Sequence, residues 1–489
     1  MPNHTIAENL QRLQTARTNI ANAIVERGGT VNSGDGFEEF PADILSIPNA
    51  TIYGWHINPN ESDSYDAVSY IEDAVGMTPA YMGSTAFNYG SWGKVFFIPK
   101  PCMVRYDGTV DYYLDPNDYT KKADGTPSDI GNPAYQGNAM MEWGLLWFKF
   151  WSGNEEGEGY FCVADRKVDD TYDCTCNYDA DGNITEHFYT AIYQGTTAPN
   201  YDNTKTYAVD DIVTYSDAEY KCITAIETAE AFDSTKWTQL SATTRLRSLS
   251  GVRLISANGN GYTTGTQEVA RATACNTTAK TEWYIETWCD RVLINALLVL
   301  MGKSLDTQGT FGRGIDSGSR AQKEAYVTGA LNDKGLFYGS TANGTTAVKT
   351  FGMENWWALA WHRTAGLVGG ANNTYLYKMT WSTHDGSTAT GYNSNGSGYL
   401  STSGRPATNY LYKAKYDKWG FLPIVTGSSN ALYYKDYFYT GAGFALCGGH
   451  SAAGEYGGTF SVYLHIAFST PNWSMAAAPS FKPLAGRGE

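Results

Sequence analysis

The stretch that decides the reading runs Tyr433-Tyr-Lys-Asp-Tyr-Phe-Tyr439, Gly443-Phe-Ala-Leu-Cys-Gly-Gly449, Gly454-Glu-Tyr-Gly-Gly-Thr-Phe460 and Leu464-His-Ile-Ala-Phe-Ser469. Between residues 433 and 489 there are twelve Tyr, Phe or Trp but only three acidic and three basic side chains. Large rigid aromatics lose little rotamer entropy for the area they cover, so they make efficient binding anchors. Glycines supply the tight turns that present such rings. The same residues suit a C-terminal β-core, and the segment has to contain positions of both kinds.

Working outward, the whole chain shares this bias. Of 489 residues, 42% are hydrophobic and 17% charged, which makes the chain globular rather than disordered. Its 36 Tyr, 14 Trp and 52 Gly favour a β-rich, loop-rich fold. A net charge of −15 repels nucleic-acid phosphates and anionic membranes, so neither is expected as a partner. The eight cysteines, at 102, 162, 174, 176, 222, 275, 289 and 447, form no CxxC pair, and Cys174-Thr-Cys176 lacks a partner at zinc-ligand spacing. Scattered thiols fit assembly in a reducing cytoplasm, with disulfides left open. The N-terminus Met1-Pro-Asn-His-Thr5 has neither a basic nor an apolar leader region, so no signal peptide is expected. The apolar run Val292–Met301 is too short to cross a bilayer and reads as a buried helix, from about Asp290 to Lys303.

The first segment, 1–48, reads as a helical attachment and oligomerisation unit. Thr5 and Glu8 form a capping box, Gly28-Gly29 closes the helix, and Ile6, Leu10, Leu13, Ile20 and Ile24 form a stripe interrupted by Arg17. The stripe calls for a partner helix, a copy of itself, or else the body of its own chain. A second short helix has Pro41 in its first turn, with Ile44, Leu45 and Ile47 facing inward, and ends at Pro48. From about Thr51 short strands alternate with Gly/Asn/Asp/Pro turns.

Residues 199–241 read as an inserted β-module between a first body part, 49–198, and the remainder, 242–489. Tyr207-Ala-Val-Asp-Asp-Ile-Val-Thr-Tyr215 alternates like a half-buried strand, Ser216-Asp217-Ala218 makes a turn, and Glu219-Tyr220-Lys221-Cys222 starts the return. So small a unit needs Trp237, Tyr207, Tyr215 and Tyr220 to supply its core, unless some of them are exposed to stack on sugar rings. The frame Tyr207, Asp211, Val213, Tyr215, Tyr220, Cys222 and Trp237 resembles the small chitin-binding-type carbohydrate-binding module. Tyr201 or a neighbour stands where that family has its first Trp, and Asp210 where a Gly is commoner. The resemblance implies sugar binding through Tyr207, Tyr220 and Trp237, with a structural spacer as the alternative.

The rest of the chain resembles the C-type-lectin-fold adhesins of phage tails, many of them variable proteins targeted by diversity-generating retroelements. The blocks that carry this are Asp73-Ala-Val-Gly-Met-Thr-Pro79, Asp115-Pro-Asn-Asp118, Lys121-Lys122-Ala-Asp-Gly125, Leu246-Arg-Ser-Leu-Ser-Gly251 and Ala257-Asn-Gly-Asn-Gly-Tyr262. They continue with Leu298-Val-Leu-Met-Gly-Lys-Ser304, Gln308, Phe311-Gly-Arg-Gly314, Phe351-Gly-Met-Glu-Asn-Trp-Trp357 and Gly366-Leu-Val368. Gly36-Phe-Glu-Glu-Phe-Pro41 likewise resembles the opening of phage tail proteins. In such proteins a fixed skeleton alternates with surface positions that differ between copies. Carried over to the C-terminal region, about 431–485, the skeleton is Asp436, Ala445, Leu446, Gly448, Gly449, Gly454, Gly458, Phe460, Leu464, Ala467 and Ser469. The ligand-binding positions are Lys435, His450, Glu455, Tyr456, Val462, Tyr463, His465, Ile466, Phe468, Asn472 and Trp473. Ala478-Pro-Ser-Phe481 departs from the Gly and Arg usual before the last strand.

Catalytic and metal signals are weak. His4, His56, His187, His362, His384, His450 and His465 form no ligand pair at helical spacing, and no G-x-S-x-G elbow or Walker loop is present. His384-Asp385 reads as a solvated loop, Gly312-Arg-Gly314 is too short for a phosphate cradle, and Asp179-Ala-Asp-Gly182 lacks the remaining calcium-loop ligands. Glu354 beside Trp356-Trp357 is the one candidate glycosidase acid, against a scaffold role. A lone Cys447 argues against formylglycine-generating chemistry, which shares the general fold.

The expectation is therefore a β-rich α+β protein: a C-type-lectin-like body, an N-terminal helical attachment segment and a small inserted β-module. The resemblance implies a non-enzymatic receptor-binding protein of a phage tail, without catalytic residues, metal or cofactor, resident in the virion. Its partners would be a receptor (protein or glycan) on a bacterial cell, other tail proteins through the N-terminus, and copies of itself as a homotrimer. It would not insert into a membrane. The competing readings are a phage-encoded glycan-degrading tail enzyme and a purely structural tail protein.

Overall fold

Fifteen consecutive buried residues, Trp288–Gly302, form the helix on which the fold is assembled. The computed structural model describes residues 5–26, 29–45, 49–254, 262–370, 377–381, 392, 406–428 and 434–484. Tyr433, Gly28, Ile47, most of the 257–262 block and His384-Asp385 lie outside them. With 16% helix and 31% strand, the protein is a β-rich α+β structure. The central helix starts two residues earlier than its apolar run suggests because Thr287 caps it, accepting from the Asp290 amide. It ends where Lys303 turns left-handed, at φ 50°. A helix apolar on every side must be covered on every side, and sheets do this.

A four-stranded antiparallel sheet runs in the order Val68–Glu72, Ile52–Ile57, Gly159–Ala164, Trp147–Ser152. A seven-stranded sheet places Pro479–Pro483 between Thr281–Ile285 and Phe188–Ala191, then continues through Gly137–Trp143, Lys100–Arg105, Val110–Asp115 and Asp118–Lys122. Ala478 and Phe481, part of the departure noted in the sequence, are buried there, and the Phe481 ring stacks on Trp283 at 4.5 Å. The largest sheet is eight-stranded. Its main path is Tyr377–Met379, Trp361–Gly369, Phe444–Cys447, Val462–Tyr463, Tyr437–Tyr439, Asn409–Asp417 and Gly420–Gly427, and Met475–Ala476 joins Trp361–Gly369 in parallel. One core joins these parts: Trp55 and Phe161 of the four-stranded sheet, Met141 and Trp143 of the seven-stranded sheet, Leu293 and Leu297 of the central helix, and Phe438 and Val462 of the largest sheet all belong to it.

Polar groups on the central helix tie it to the segments around Trp356 and Thr459 that flank strands of the largest sheet. Asn295 Nδ2 donates to the Thr459 carbonyl at 3.0 Å, while its Oδ1 accepts from Trp356 Nε1 and the Thr459 hydroxyl. Arg291 donates to Glu286 at 2.7 Å and stacks on Trp356, and His362 shares the same carboxylate at 2.8 Å. Arg291 and His362 hold the Glu286 carboxyl down at about 2 despite its burial.

The insert is a three-stranded antiparallel sheet, Ile212–Tyr215, Ala218–Cys222 and Trp237–Ser241. Ser216 and Asp217 both have positive φ, as a two-residue type I′ hairpin loop requires. The first strand is shorter than the alternation from Tyr207 suggests, because Asp210 turns left-handed at φ 75°. Val213, Cys222, Ile226 and Trp237 form a separate small core. Glu219 leaves the hairpin for the body, where it is fully buried between Arg245 at 3.1 Å and Arg247 at 2.8 Å. Thr214 and Thr244 hydroxyls meet at 2.8 Å, and Arg271 reaches Asp217 at 2.7 Å.

At the other end, Ile6–Glu26 is helical, with the Thr5 amide donating to Glu8 and the Glu8 amide to the Thr5 hydroxyl. Ile6, Leu10, Leu13 and Ile20 are exposed, Ile6 at 89%, while Ile24 is buried. In the short helix Phe40–Leu45, Phe40 and Asp43 are buried and Ile44 is exposed, which corrects its inward placement; the Leu45 side chain lies outside the described residues.

Candidate functional site

The strand Tyr437–Tyr439 has one side chain inward and two outward. Phe438 is completely buried, so period-two alternation turns Tyr437 and Tyr439 to the opposite face. Register then sets their neighbours: Tyr410 opposes Tyr437 and Tyr463 opposes Tyr439. The ring centroids lie 5.1 Å apart for Tyr410–Tyr437, 4.7 Å for Tyr437–Tyr439 and 4.7 Å for Tyr439–Tyr463. Tyr456, on the turn Gly454–Tyr456, closes on Tyr437 at 5.4 Å. From Tyr463 the path continues to Trp361 at 5.6 Å, to His450 at 6.1 Å and to Trp473 at 5.4 Å. The rings thus form one connected band across the outer face of the largest sheet.

The band rests on a firm floor. Trp361, Leu446 and Met475 are buried beneath it, with Tyr439, Tyr463 and Ile466 packed against them. The loop carrying Tyr456 is pinned from both sides. Buried Asp436 accepts from the amides of Gly458 and Phe460, both at 2.7 Å, and Arg313 joins Asp316 to Glu455 at 3.0 Å on each side. Burial pushes the Asp436 carboxyl well above the ordinary range, against the pull of its two amide donors. Rings held this way lose little freedom when a partner arrives.

Electrostatically the band is close to neutral. Burial lowers the His450 pKa to about 4, so its ring is uncharged at pH 7, and the Ala452 amide donates to its Nδ1. Burial also raises the phenols of Tyr410, Tyr439 (to about 12) and Tyr463, which remain protonated donors.

Of the ligand-binding positions expected from sequence, His450, Tyr456, Tyr463 and Trp473 lie in the band. His465 is exposed beside it, 6.3 Å from Tyr463, and Ile466 is half-buried at its floor. Glu455 sits at the rim with Arg313, and Asn472 accepts from Ser474 in a turn next to Trp473. Lys435 is elsewhere, exposed and paired with Asp306 across a groove shared with Asp63 and Tyr65. Two positions are corrected. Val462 is only 1% exposed because it shares the inward face with Leu464, two residues on. Phe468 is 6% exposed because its ring covers Gly265, where a Cβ would stand 2.6 Å from it. Conversely Ala467 and Ser469, expected in the skeleton, are exposed. Sequence reasoning missed Tyr410, Tyr437 and Tyr439 as surface members, and Trp361 as the buried ring that links Tyr463 to His450. The Tyr-Phe-Tyr alternation was the available signal for the last two.

In the insert, Trp237 is 4% exposed and belongs to the core, which corrects its place among sugar-stacking residues. Tyr207 is half-buried, with its ring on Tyr201 at 5.1 Å and its hydroxyl accepting from the Asp202 amide, and Tyr220 packs edge-on to Phe232. The ring most open to solvent is Tyr215, 41% exposed and stacked flat on Phe232 at 3.9 Å. Both line a groove of about 920 Å³ between insert and body, with Tyr201, Lys205 and Arg253.

Glu354 lies inside the body and faces only an internal void of about 10 Å³. It accepts from the Tyr326 hydroxyl and from the Gly329 and Leu331 amides, and burial raises its pKa. Asp179 spends its carboxylate on the amides of Asp181 and Asn183. Among the described residues no group of three or more His, Cys, Asp or Glu is arranged to hold a metal ion, and no helix is long and apolar enough to cross a membrane. No protein-family model matches the chain, and no curated protein matches its sequence.

Proposed function

We propose that this chain is a phage tail adhesin that binds a bacterial cell-surface receptor through the aromatic band on its largest sheet. The observation that carries the reading is the band itself: tyrosines, tryptophans and a neutral histidine in continuous contact, on a buried floor and with little charge. Aromatic side chains on a rigid base are the commonest energetic anchors of recognition surfaces. The body is read as C-type-lectin-like, from the resemblance of its blocks to variable tail proteins, with the band as the surface that differs between copies. The exposed stripe Ile6, Leu10, Leu13 and Ile20 would join three copies and mount them on the tail. Three copies would multiply a weak single contact by avidity. The insert is read as a second, sugar-directed element.

The test is host-cell binding by the whole chain with Tyr456, Tyr463 and Trp473 all replaced by Ala. Binding should be lost while circular dichroism and the thermal midpoint stay near wild type. Undiminished binding by the folded triple variant would refute the assignment. Retroelement diversification predicts an imperfect copy of the C-terminal coding segment near a reverse-transcriptase gene, with mismatches at adenines.

A further inference from the structure

Cys176 and Cys289 bring their Sγ atoms to 2.8 Å although 113 residues separate them in sequence. That is closer than two non-bonded sulfur atoms rest. All eight cysteines are buried as free thiols, and among the described residues no other two thiols touch. The approach is built from two fixed elements. Cys176 lies in the short turn Thr175–Asn177, where Asn177 donates to the Thr185 carbonyl at 3.1 Å and accepts from the Leu146 amide. Cys289 lies in the first turn of the central helix, and its thiol donates to the Thr175 hydroxyl at 3.2 Å.

We propose that Cys176 and Cys289 form a disulfide by exchange with a small-molecule disulfide such as oxidised glutathione. The Cys289 thiolate attacks one sulfur of the small disulfide, forming a mixed disulfide and releasing one small thiolate, which takes up the proton Cys289 lost. The Cys176 thiolate then displaces the second small thiol in the same way. Two protein thiols are oxidised to one bond, and one small disulfide is reduced to two thiols. Burial holds the Cys176 thiol well above its usual range, so exchange occurs during folding or local opening. Once closed, the bond is shielded from reductants by the same burial. The loop it closes, residues 177–288, contains the entire insert and both arginines that grip Glu219. Cross-linking so long a loop removes much conformational freedom from the unfolded chain and stabilises the fold accordingly. The base of the insert thus gains a covalent tie that the reduced protein lacks.

The experiment refolds the whole chain from urea in reduced and oxidised glutathione, then denatures it and alkylates free thiols. Six of the eight cysteines (8 − 2) should react. The intact mass should be two hydrogens below the fully reduced chain, and peptide mapping should join Cys176 to Cys289. The thermal midpoint should rise by several degrees and fall back when reductant is present during refolding. Cys174→Ser should keep the bond, whereas Cys176→Ser and Cys289→Ser should each abolish it. Eight reactive thiols in a natively folded, oxidised sample would overturn the proposal, as would a map joining Cys174 to Cys289. Mapping of the wild-type chain decides the matter even where a serine variant fails to fold.

Discussion

Replacing Glu219 with Ala removes the one carboxylate that Arg245 and Arg247 share, at 3.1 and 2.8 Å, in a site closed to water. Breaking a buried ion pair from one side costs about 3–5 kcal/mol, because the remaining charge stays buried without compensation. Here the arginines keep neutral acceptors. Arg247 still donates to the Pro133 and Tyr135 carbonyls, and Arg245 to Gln136, Leu240 and Ala274. Those contacts place the loss at the lower end, about 3 kcal/mol. With a urea dependence of about 3 kcal/mol/M, the unfolding midpoint should fall by about 1 M. Circular dichroism against urea reads this directly. Limited proteolysis should cut the insert first, because its hairpin is held to the body through this contact. The double variant Glu219→Ala, Arg247→Met removes the more deeply buried of the two stranded charges and should be more stable than Glu219→Ala alone. A midpoint shift below about 0.2 M in the single variant, or no recovery in the double, would refute the view that the clamp holds the insert in place.

Three further outcomes are expected. Gly458→Ala puts a Cβ 2.2 Å from the Asp436 carboxylate, so the 454–460 loop should shift and the thermal midpoint and receptor binding should both drop, whereas Gly125→Ala, in open space but at φ 85°, should leave binding unchanged. The pKa of His450 is lowered in the fold from 6.5 to about 4, so the unfolded chain binds more protons between those values. Its stability contribution is complete above about pH 6.5 and is lost as pH falls towards 4, and His450→Phe should flatten that part of a midpoint-versus-pH curve. Changing Ile6, Leu10 and Leu13 to Ser should lower the mass seen by sedimentation without moving the melting of the body, since these side chains are exposed in the single chain.

Local patterns were legible where a single element determined them. The apolar run at Val292–Met301 announced a buried helix, and Ser216-Asp217 announced a hairpin turn. The Thr5–Glu8 capping box is likewise a local feature. The band was legible only in part, because its members come from stretches far apart in sequence, and strand register is what sets Tyr410 beside Tyr437 and Tyr439 beside Tyr463. Nothing near Tyr410 or Trp361 reveals that a strand later in sequence will lie alongside. Val462 could have been placed correctly, since it and Leu464 share one side of an extended segment. Phe468 could not, because what buries it is Gly265, two hundred residues earlier and outside any repeating pattern. Glu219 likewise reads as an ordinary strand charge until Arg245 and Arg247 are seen around it.

The position of Pro479–Pro483 has a consequence for how the molecule comes into being. Its strand fills the gap between Phe188–Ala191 and Thr281–Ile285, and Ser480 bonds to Tyr189 across 291 residues of chain. During synthesis those two strands emerge early and wait with unpaired edges for a partner made much later. Closure of the sheet is therefore a late event in folding, slowed by the long separation in sequence. Until then the nascent chain offers open strand edges to its neighbours, the condition in which β-rich proteins most readily mispair or recruit chaperones.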